Sequence, residues 1–304
     1  MKILTPYSII TLFAISLFSC SDDIVKLYHE QGEIEYYWLL EKVEYPATKY
    51  GLIDRKDIQF SYTDDETVSR INNINGDLIA VNQVDNQSIA YSKIRNLGSL
   101  KYYDTIFVTI NNNDLATEAY HVIYRENVST EEKELEQKDL TTFTYNTTGH
   151  LAKIERYENA DPAVAPTYWE EYTYTNNNLT KINTSLGYQY NYTYDNLEHN
   201  PISGYCYEMP FNTYSISQGE CWLLSNMVFI SDYLGEKSQN NIKNITVTHS
   251  SAGGDNVTIT NITYNYTFDE DNILIGAEYS GVVNSQQLPS GQITRFTYQK
   301  KEKI

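Results

Sequence analysis

The sequence predicts an all-β protein: antiparallel strands following one another in a meander, forming a curved sheet or an open barrel, with a β-sandwich as the alternative. Three observations predict it. Tyr and Asn each occur 29 times in 304 residues, and tyrosine favours strands while asparagine favours turns. Apolar and polar residues alternate with period two over many short stretches. Those stretches are joined by short polar segments rich in Asn, Asp and Gly. Barrel and sandwich both need one apolar face per strand, so alternation does not separate them.

The first element is an address. Lys2 precedes an apolar run, Ile3 to Phe18, too short for a comfortable membrane span and suited to a signal-peptide core. It ends in Leu17-Phe18-Ser19-Cys20, which resembles a bacterial lipobox, with Phe18 where a small residue is usual. The resemblance implies cleavage before Cys20 and diacylation of its thiol. Ser21-Asp22-Asp23 resembles the surface-export signal of Bacteroidota lipoproteins. The expected organisation is a signal peptide over 1–19, a lipidated tether over 20–30 and a single β domain over 31–304. The expected location is the outer membrane at the cell surface, held by lipid. Residues 31–140 are less regular and read as a possible subregion.

The β domain shows a weak repeat: aromatic-x-Tyr, a polar turn, then an aliphatic residue with another three places on. Copies run from Phe60 to Ile71, Phe143 to Ile154 and Tyr172 to Ile182, with a looser one from Tyr266 to Ile275. Each reads as strand, tight turn, strand. The clearest strand is Tyr188-Gln189-Tyr190-Asn191-Tyr192-Thr193-Tyr194, with four tyrosines on one face. Apolar parity is odd at Val257 and Ile259 but even at Ile262, Tyr264 and Tyr266, which predicts a β-bulge near Thr260-Asn261. Phe296-Thr297-Tyr298 reads as the last strand. Two short helix candidates stand out: a capping box, Ser129-Thr130-Glu131-Glu132, opening a turn through Glu136, and the apolar stretch Cys221 to Leu234, helix or buried strand. The pattern breaks over 196–244, which reads as an insertion. It holds Cys206 and Cys221, 15 positions apart, either a disulfide in an exported chain or two free thiols.

These hairpins resemble those of YD-repeat proteins. Tyr192-Thr193-Tyr194-Asp195-Asn196 followed by Asn200-Pro201 is similar to Bacteroidota surface lipoproteins of unknown function built from such hairpins. The resemblance covers roughly 140–300. It implies a porin-like or half-barrel antiparallel sheet and carries no catalytic residues.

Charge and motifs exclude more than they assign. Lys+Arg is 22 against 40 Asp+Glu, a net charge of −18, which argues against nucleic acid. His29, His121, His150, His199 and His249 share no metal-ligand spacing and read as surface or turn histidines; no metal or cofactor is expected. The turn Asp269-Glu270-Asp271-Asn272 lacks the Gly and distal Glu of a calcium loop. Nucleophile elbows and phosphate loops are missing from the sequence. Asp104-Thr105-Ile106 resembles an O-glycosylation acceptor of exported Bacteroidota proteins, or is a plain strand entry. Tyr168-Trp169, beside the loop Asp161 to Pro166, is the candidate ligand contact, because exposed aromatic faces stack on sugars. The functional expectation is a non-catalytic binding or scaffold module with a glycan or an envelope protein as partner. The alternatives are a glycan hydrolase using two carboxylates and an accessory subunit of an outer-membrane transporter.

Overall fold

The computed structural model describes residues 29–31, 34–44, 58–64, 68–73, 78–85, 87–198, 233–250, 256–271, 273–283, 285–288 and 290–302. These are strands, apart from connections and one 3-10 turn at Glu158–Ala160. The strands are β1 (His29–Gln31), β2 (Ile34–Glu44), β3 (Ile58–Tyr62), β4 (Val68–Asn73), β5 (Leu78–Asp85), β6 (Ser88–Leu97), β7 (Leu100–Ile110), β8 (Ala116–Asn127), β9 (Lys133–Tyr145) and β10 (Leu151–Tyr157). They continue with β11 (Tyr168–Thr175), β12 (Asn178–Thr184), β13 (Tyr188–Glu198), β14 (Asn240–Ser250), β15 (Asn256–Phe268), β16 (Leu274–Val283), β17 (Gln286–Gln287) and β18 (Gln292–Glu302).

From β2 to β16 every strand pairs antiparallel with its neighbour in sequence, β16 pairs with β18, and β18 pairs back onto β2. Sixteen strands therefore close into one barrel. The meander holds throughout, and the barrel is closed rather than open, with Phe296 opposite Val43. The segment read as an insertion is narrower than 196–244: β13 runs to Glu198 and β14 starts at Asn240. The capping box opens no helix. Residues 128–132 form the β8–β9 connection, where Glu131 takes φ 57°, outside the helical region. The other helix candidate lies outside the described residues except for Tyr233 and Leu234, which are buried in the core.

The repeat has a physical cause. Seven strands, β2, β4, β8, β10, β12, β14 and β16, each carry a one-residue bulge, at Glu41, Ser69, Thr117, Ala152, Thr180, Lys243 and Ile275. An extra residue shifts the pleat by one, so residues three apart point the same way. Leu151 and Ile154, Leu179 and Ile182, and Ile242 and Ile245 are all buried in the core on this spacing. Tyrosines on the following strands seal the gaps. Tyr62 Oη donates to Leu40 O at 2.6 Å, Tyr145 to Ala116 O at 2.7 Å, and Tyr194 to Leu179 O and Tyr266 to Ile242 O at 2.5 Å each. Each acceptor is the residue just before a bulge. Where the bulge residue is Ser or Thr, its hydroxyl donates across the pair, as Ser69 to Ser61 O and Thr180 to Thr173 O at 3.1 Å. The bulge expected near Thr260-Asn261 is found one residue earlier, at Ile259.

These bulges lie near one rim of the barrel, hereafter the bulged rim, where the even-numbered strands begin. Its turns are built from Asx residues. Asn111, Asn146 and Asp269 each accept, through Oδ1, from the backbone N–H two and four residues on, at 2.8–3.1 Å. Asn176 and Asn177, at φ 50° and 57°, make a two-residue hairpin turn. Residues 233–239 lie across these turns: Glu236 N donates to Gly149 O, Gln239 N to Asn177 O and Leu179 N to Ser238 Oγ, at 3.0–3.1 Å.

A circular sixteen-strand barrel would leave an aqueous lumen. Here the inward side chains form one continuous core drawn from strands all round the barrel, and Val108, Ile154 and Leu274 have no exposed surface. Among the described residues the interior is therefore packed with apolar side chains, as a sandwich core is, which accounts for a sequence equally compatible with a sandwich.

Candidate functional site

The interior divides along the barrel axis. Toward the bulged rim it is apolar and aromatic. Toward the opposite rim polar groups enter it. Five successive strands, β6 to β10, send titratable side chains inward, among them Arg95, Asp104, His121, Asp139 and Arg156. His121 Nε2 lies 2.8 Å from Asp104 Oδ1, and Arg95 Nη2 lies 3.5 Å from Asp104 Oδ2. Arg156 Nη2 donates to Asp139 Oδ2 at 2.6 Å, and Gln137 Nε2 to the same oxygen at 2.5 Å. On β11, Glu170 accepts from Tyr168 Oη at 2.5 Å and from Tyr172 Oη. Burial pushes the Glu170 carboxyl above its ordinary range, against the pull of the two hydroxyls. Burial likewise drives the Tyr172, Tyr190 and Tyr192 phenols upward. Every one of these acids is held by a donor in a filled interior, the pattern of charges satisfied within a core. No group of residues able to hold a metal ion is found among the described residues.

The outer wall shows a different arrangement. Over β11 to β16 its outward residues are mostly polar, among them Lys181, Asn183, Gln189, Asn191, Thr193, Lys243, Asn244 and Thr246, with Trp169 and Val282 as apolar exceptions. Asn244 Nδ2 donates to Asn261 Oδ1 at 2.7 Å on this surface. Over β6 to β10 the outer wall instead carries a row of directly opposed residues, Ala90, Phe107, Tyr120, Leu140 and Tyr157. A second row, Ile94, Tyr103, Tyr124 and Leu135, runs nearer the opposite rim. Phe107 is 42% exposed. Lysines cover the rings: Lys133 Nζ lies 4.1 Å from the Tyr103 centroid and 4.9 Å from that of Tyr124, and Lys138 Nζ lies 5.2 Å from Tyr120. A barrel that spans a bilayer carries an apolar belt outside and polar groups inside. Over β11 to β16 the described residues are arranged the other way round, whereas β6 to β10 carry charged groups inside and the two apolar rows outside.

The structure separates the two predicted contact residues. Tyr168 and Trp169 are consecutive in β11, so their side chains leave opposite faces. Tyr168 is buried on Glu170, whereas Trp169 is half-buried on the outer wall, its backbone opposite Glu155. His121 and His150 are not surface histidines. Both are buried, His121 on Asp104, and His150 stacked on Tyr174 at 4.4 Å with Nδ1 2.8 Å from Glu236 O. Asp104 of the glycosylation-like triplet points inward and is buried. Cys20, Ser21, Asp22, Asp23, Cys206 and Cys221 lie outside the described residues. The outer aromatic rows escaped the sequence reading. Their trace is there in Ile106-Phe107-Val108 and Tyr120-His121-Val122-Ile123, where alternation fails because both faces are apolar.

No protein-family model matches the chain, and no curated protein matches it. Among solved structures it is similar to a porin-like protein from Bacteroides vulgatus ATCC 8482, with TM-score 0.51 and 14% identity over 86% of this chain and 98% of that one. It is also similar to a porin-like protein from Bacteroides uniformis ATCC 8492, with TM-score 0.49 and 13% identity over 90% of this chain and 94% of that one. The first of these likenesses supports the fold.

Proposed function

We propose that this chain is a lipid-anchored outer-membrane protein whose barrel stands outside the bilayer as a non-catalytic binding module. The observation that carries the reading is the wall of β11 to β16, with a largely apolar, filled interior behind it and a polar exterior, beside a β6 to β10 exterior whose aromatic rows are covered by lysines. A filled barrel has no path for solute, and amide- and charge-bearing walls cannot face lipid. The lipobox-like Cys20 supplies the membrane attachment that the barrel wall does not.

The contact surface in this reading is the outer face of β6 to β10. Lysines occupy faces of Tyr103, Tyr120 and Tyr124 on which a sugar would stack, so another envelope protein fits this face better than a glycan. The interior carboxylates are each bound by neighbours, which favours binding over hydrolysis.

The test replaces residues 1–20 with a cleavable secretory leader and follows fractionation. The wild-type chain is expected in the membrane fraction with a palmitate analogue on Cys20, and the replaced chain in the soluble fraction, folded. A replaced chain that stays integral to the membrane would refute the reading.

A further inference from the structure

The two ends of the barrel differ in how far water enters. Inside a closed barrel an inward side chain is exposed only where a mouth is open. At the bulged rim the inward residues Ile110, Ala116, Leu151, Leu179, Ile242 and Leu274 are buried, in one cluster with Tyr233 and Leu234. The opposite rim is the apolar rim, so called because its connections expose Leu97, Val128, Val164 and Leu186. There too the inward residues Tyr168, Thr184, Val283 and Gln292 are buried. The inner face of β6 to β9 departs from this. Its row nearest the apolar rim is a line of directly opposed residues, Arg95, Tyr102, Arg125 and Glu134. The Arg95, Arg125 and Glu134 side chains are 39%, 41% and 68% exposed. Lys93, Tyr102 and Gln137 are half-buried, and Asp104, His121 and Asp139 beneath them are buried. Exposure falls from rim to core, so β6 to β9 line a recess that admits water from the apolar rim and ends blind.

We propose that this recess binds a small ligand through an oxyanion group, a carboxylate or a phosphate, with Arg95 as the principal contact, Lys93 beside it and Tyr102 beneath it. The site is separate from the outer face of β6 to β10 and lies where barrels hold ligands, in the mouth. The charges of the recess are unequally satisfied, and the inequality selects Arg95. Asp104 is held by His121 at 2.8 Å, and Glu134 accepts from Arg125 Nη2 at 2.8 Å. Glu136 also acts on Arg125, so that guanidinium is already answered by acids. Arg95 is not. Its Nη2 approaches Asp104 Oδ2 only to 3.5 Å, and its Nε is buried and makes no hydrogen bond. A buried N–H without an acceptor is unfavourable. Nε and Nη2 together form the guanidinium edge that takes two oxygens of a carboxylate or phosphate. The guanidinium is also oriented in advance, with Cζ 5.3 Å from the Tyr102 ring centroid. Lys93, two residues earlier on β6, faces the same way and adds a second cation deeper in the recess. An oxyanion seated there would complete Arg95 without displacing the bonds that Asp104 and Glu134 already make.

The experiment is a nuclear magnetic resonance titration of the full chain, isotope-labelled at its arginine nitrogens, in dodecyl maltoside. The probes are sodium phosphate and, separately, sodium acetate, at constant ionic strength. The chain has six arginines, Arg55, Arg70, Arg95, Arg125, Arg156 and Arg295, so their Nε–H resonances are few enough to resolve, and Arg95→Lys identifies the one that matters. A saturating shift of the Arg95 resonance is expected with at least one of the two anions, while Arg70 and Arg295 stay in place. The anion that produces it names the ligand group. Lys93→Gln should weaken that binding about tenfold, the share of one charged hydrogen bond, and Lys181→Gln on the outer wall should leave it unchanged. An Arg95 resonance that moves with neither anion overturns the proposal. So does a parallel drift of all six resonances, which reports general ion binding, and so does binding that Lys93→Gln leaves at wild-type strength. The titration reads Arg95 whether or not Cys20 carries lipid, so its outcome is independent of the anchored reading above.

Discussion

The two rims of one barrel are built by opposite means. At the bulged rim the described backbone groups are answered by local partners: Asx side chains accept from the turn, tyrosine hydroxyls donate to carbonyls beside the bulges, and residues 233–239 pair with the turns beneath them. At the opposite rim the connections end in exposed aliphatics, and the interior behind them holds charges that need partners on other strands. The same alternating strands run into both. The difference teaches that strand periodicity sets the wall while the rims are specified by short-range chemistry, and that stability and exposure have been assigned to different ends.

The largest expected effect tests the bulged rim. Gly235 has φ +87°, and a Cβ there would stand 2.2 Å from Gly149 O. Gly235→Ala is expected to cost about 2–4 kcal/mol in urea unfolding, from backbone strain and overpacking together. A cost within experimental error would mean that residues 233–239 do not hold that rim.

A smaller loss is expected when one seal is removed. Tyr194→Phe deletes the hydroxyl that reaches Leu179 O and stands 3.1 Å from Ser238 Oγ, at about 1–2 kcal/mol for a buried hydrogen bond left unmade. The matching test is Gln189→Ala on the outward side of the same strand, expected to change stability by less than about 0.5 kcal/mol. Equal effects from the two would erase the distinction between seal and wall.

Glu170 sharpens the contrast through pH. Its folded-state pKa is raised by burial, so its protonated form is the one the fold favours. That contribution is fully present below the unfolded value of about 4.3 and is lost as pH rises through the raised folded value. Glu170→Gln should remove this slope. Measured by urea midpoints from pH 4.5 to pH 8, the variant should gain on the wild type as pH rises; a difference independent of pH would contradict the assignment. At the other extreme, Leu186→Asn on the apolar rim should shift the unfolding free energy by no more than about 0.5 kcal/mol, since an exposed tip contributes little to folding.

The strands and their turns were legible because their determinants are local. Phe143-Thr144-Tyr145 followed by Asn146 announces a hairpin within a dozen residues, and the three-residue spacing from Leu151 to Ile154 was visible before its cause. The cause, a bulge, is seen only when the register to the neighbouring strand is known. Closure was not legible, because it depends on Phe296 meeting Val43 across most of the chain. The outer row from Ala90 to Tyr157 needs five registers at once. Tyr168 and Trp169 look like one edge in the sequence, yet neighbouring residues in a strand face opposite ways. His121 looked isolated because its partner Asp104 is 17 residues away on the next strand.

The direction of the wall is tested most directly by two adjacent residues of β7. Val108 points into the core with no exposed surface, and Phe107 points out. Val108→Asp and Phe107→Asp should be compared by circular dichroism and urea unfolding. The account predicts that Val108→Asp costs more than about 4 kcal/mol, because it buries an unpaired charge, and fails to give a stable fold. Phe107→Asp should stay folded within about 1 kcal/mol of the wild type. The reverse result, with an aspartate tolerated inside the barrel and Phe107→Asp folding only when kept out of lipid, is what a membrane-spanning barrel with an aqueous lumen would give, and it would contradict the account.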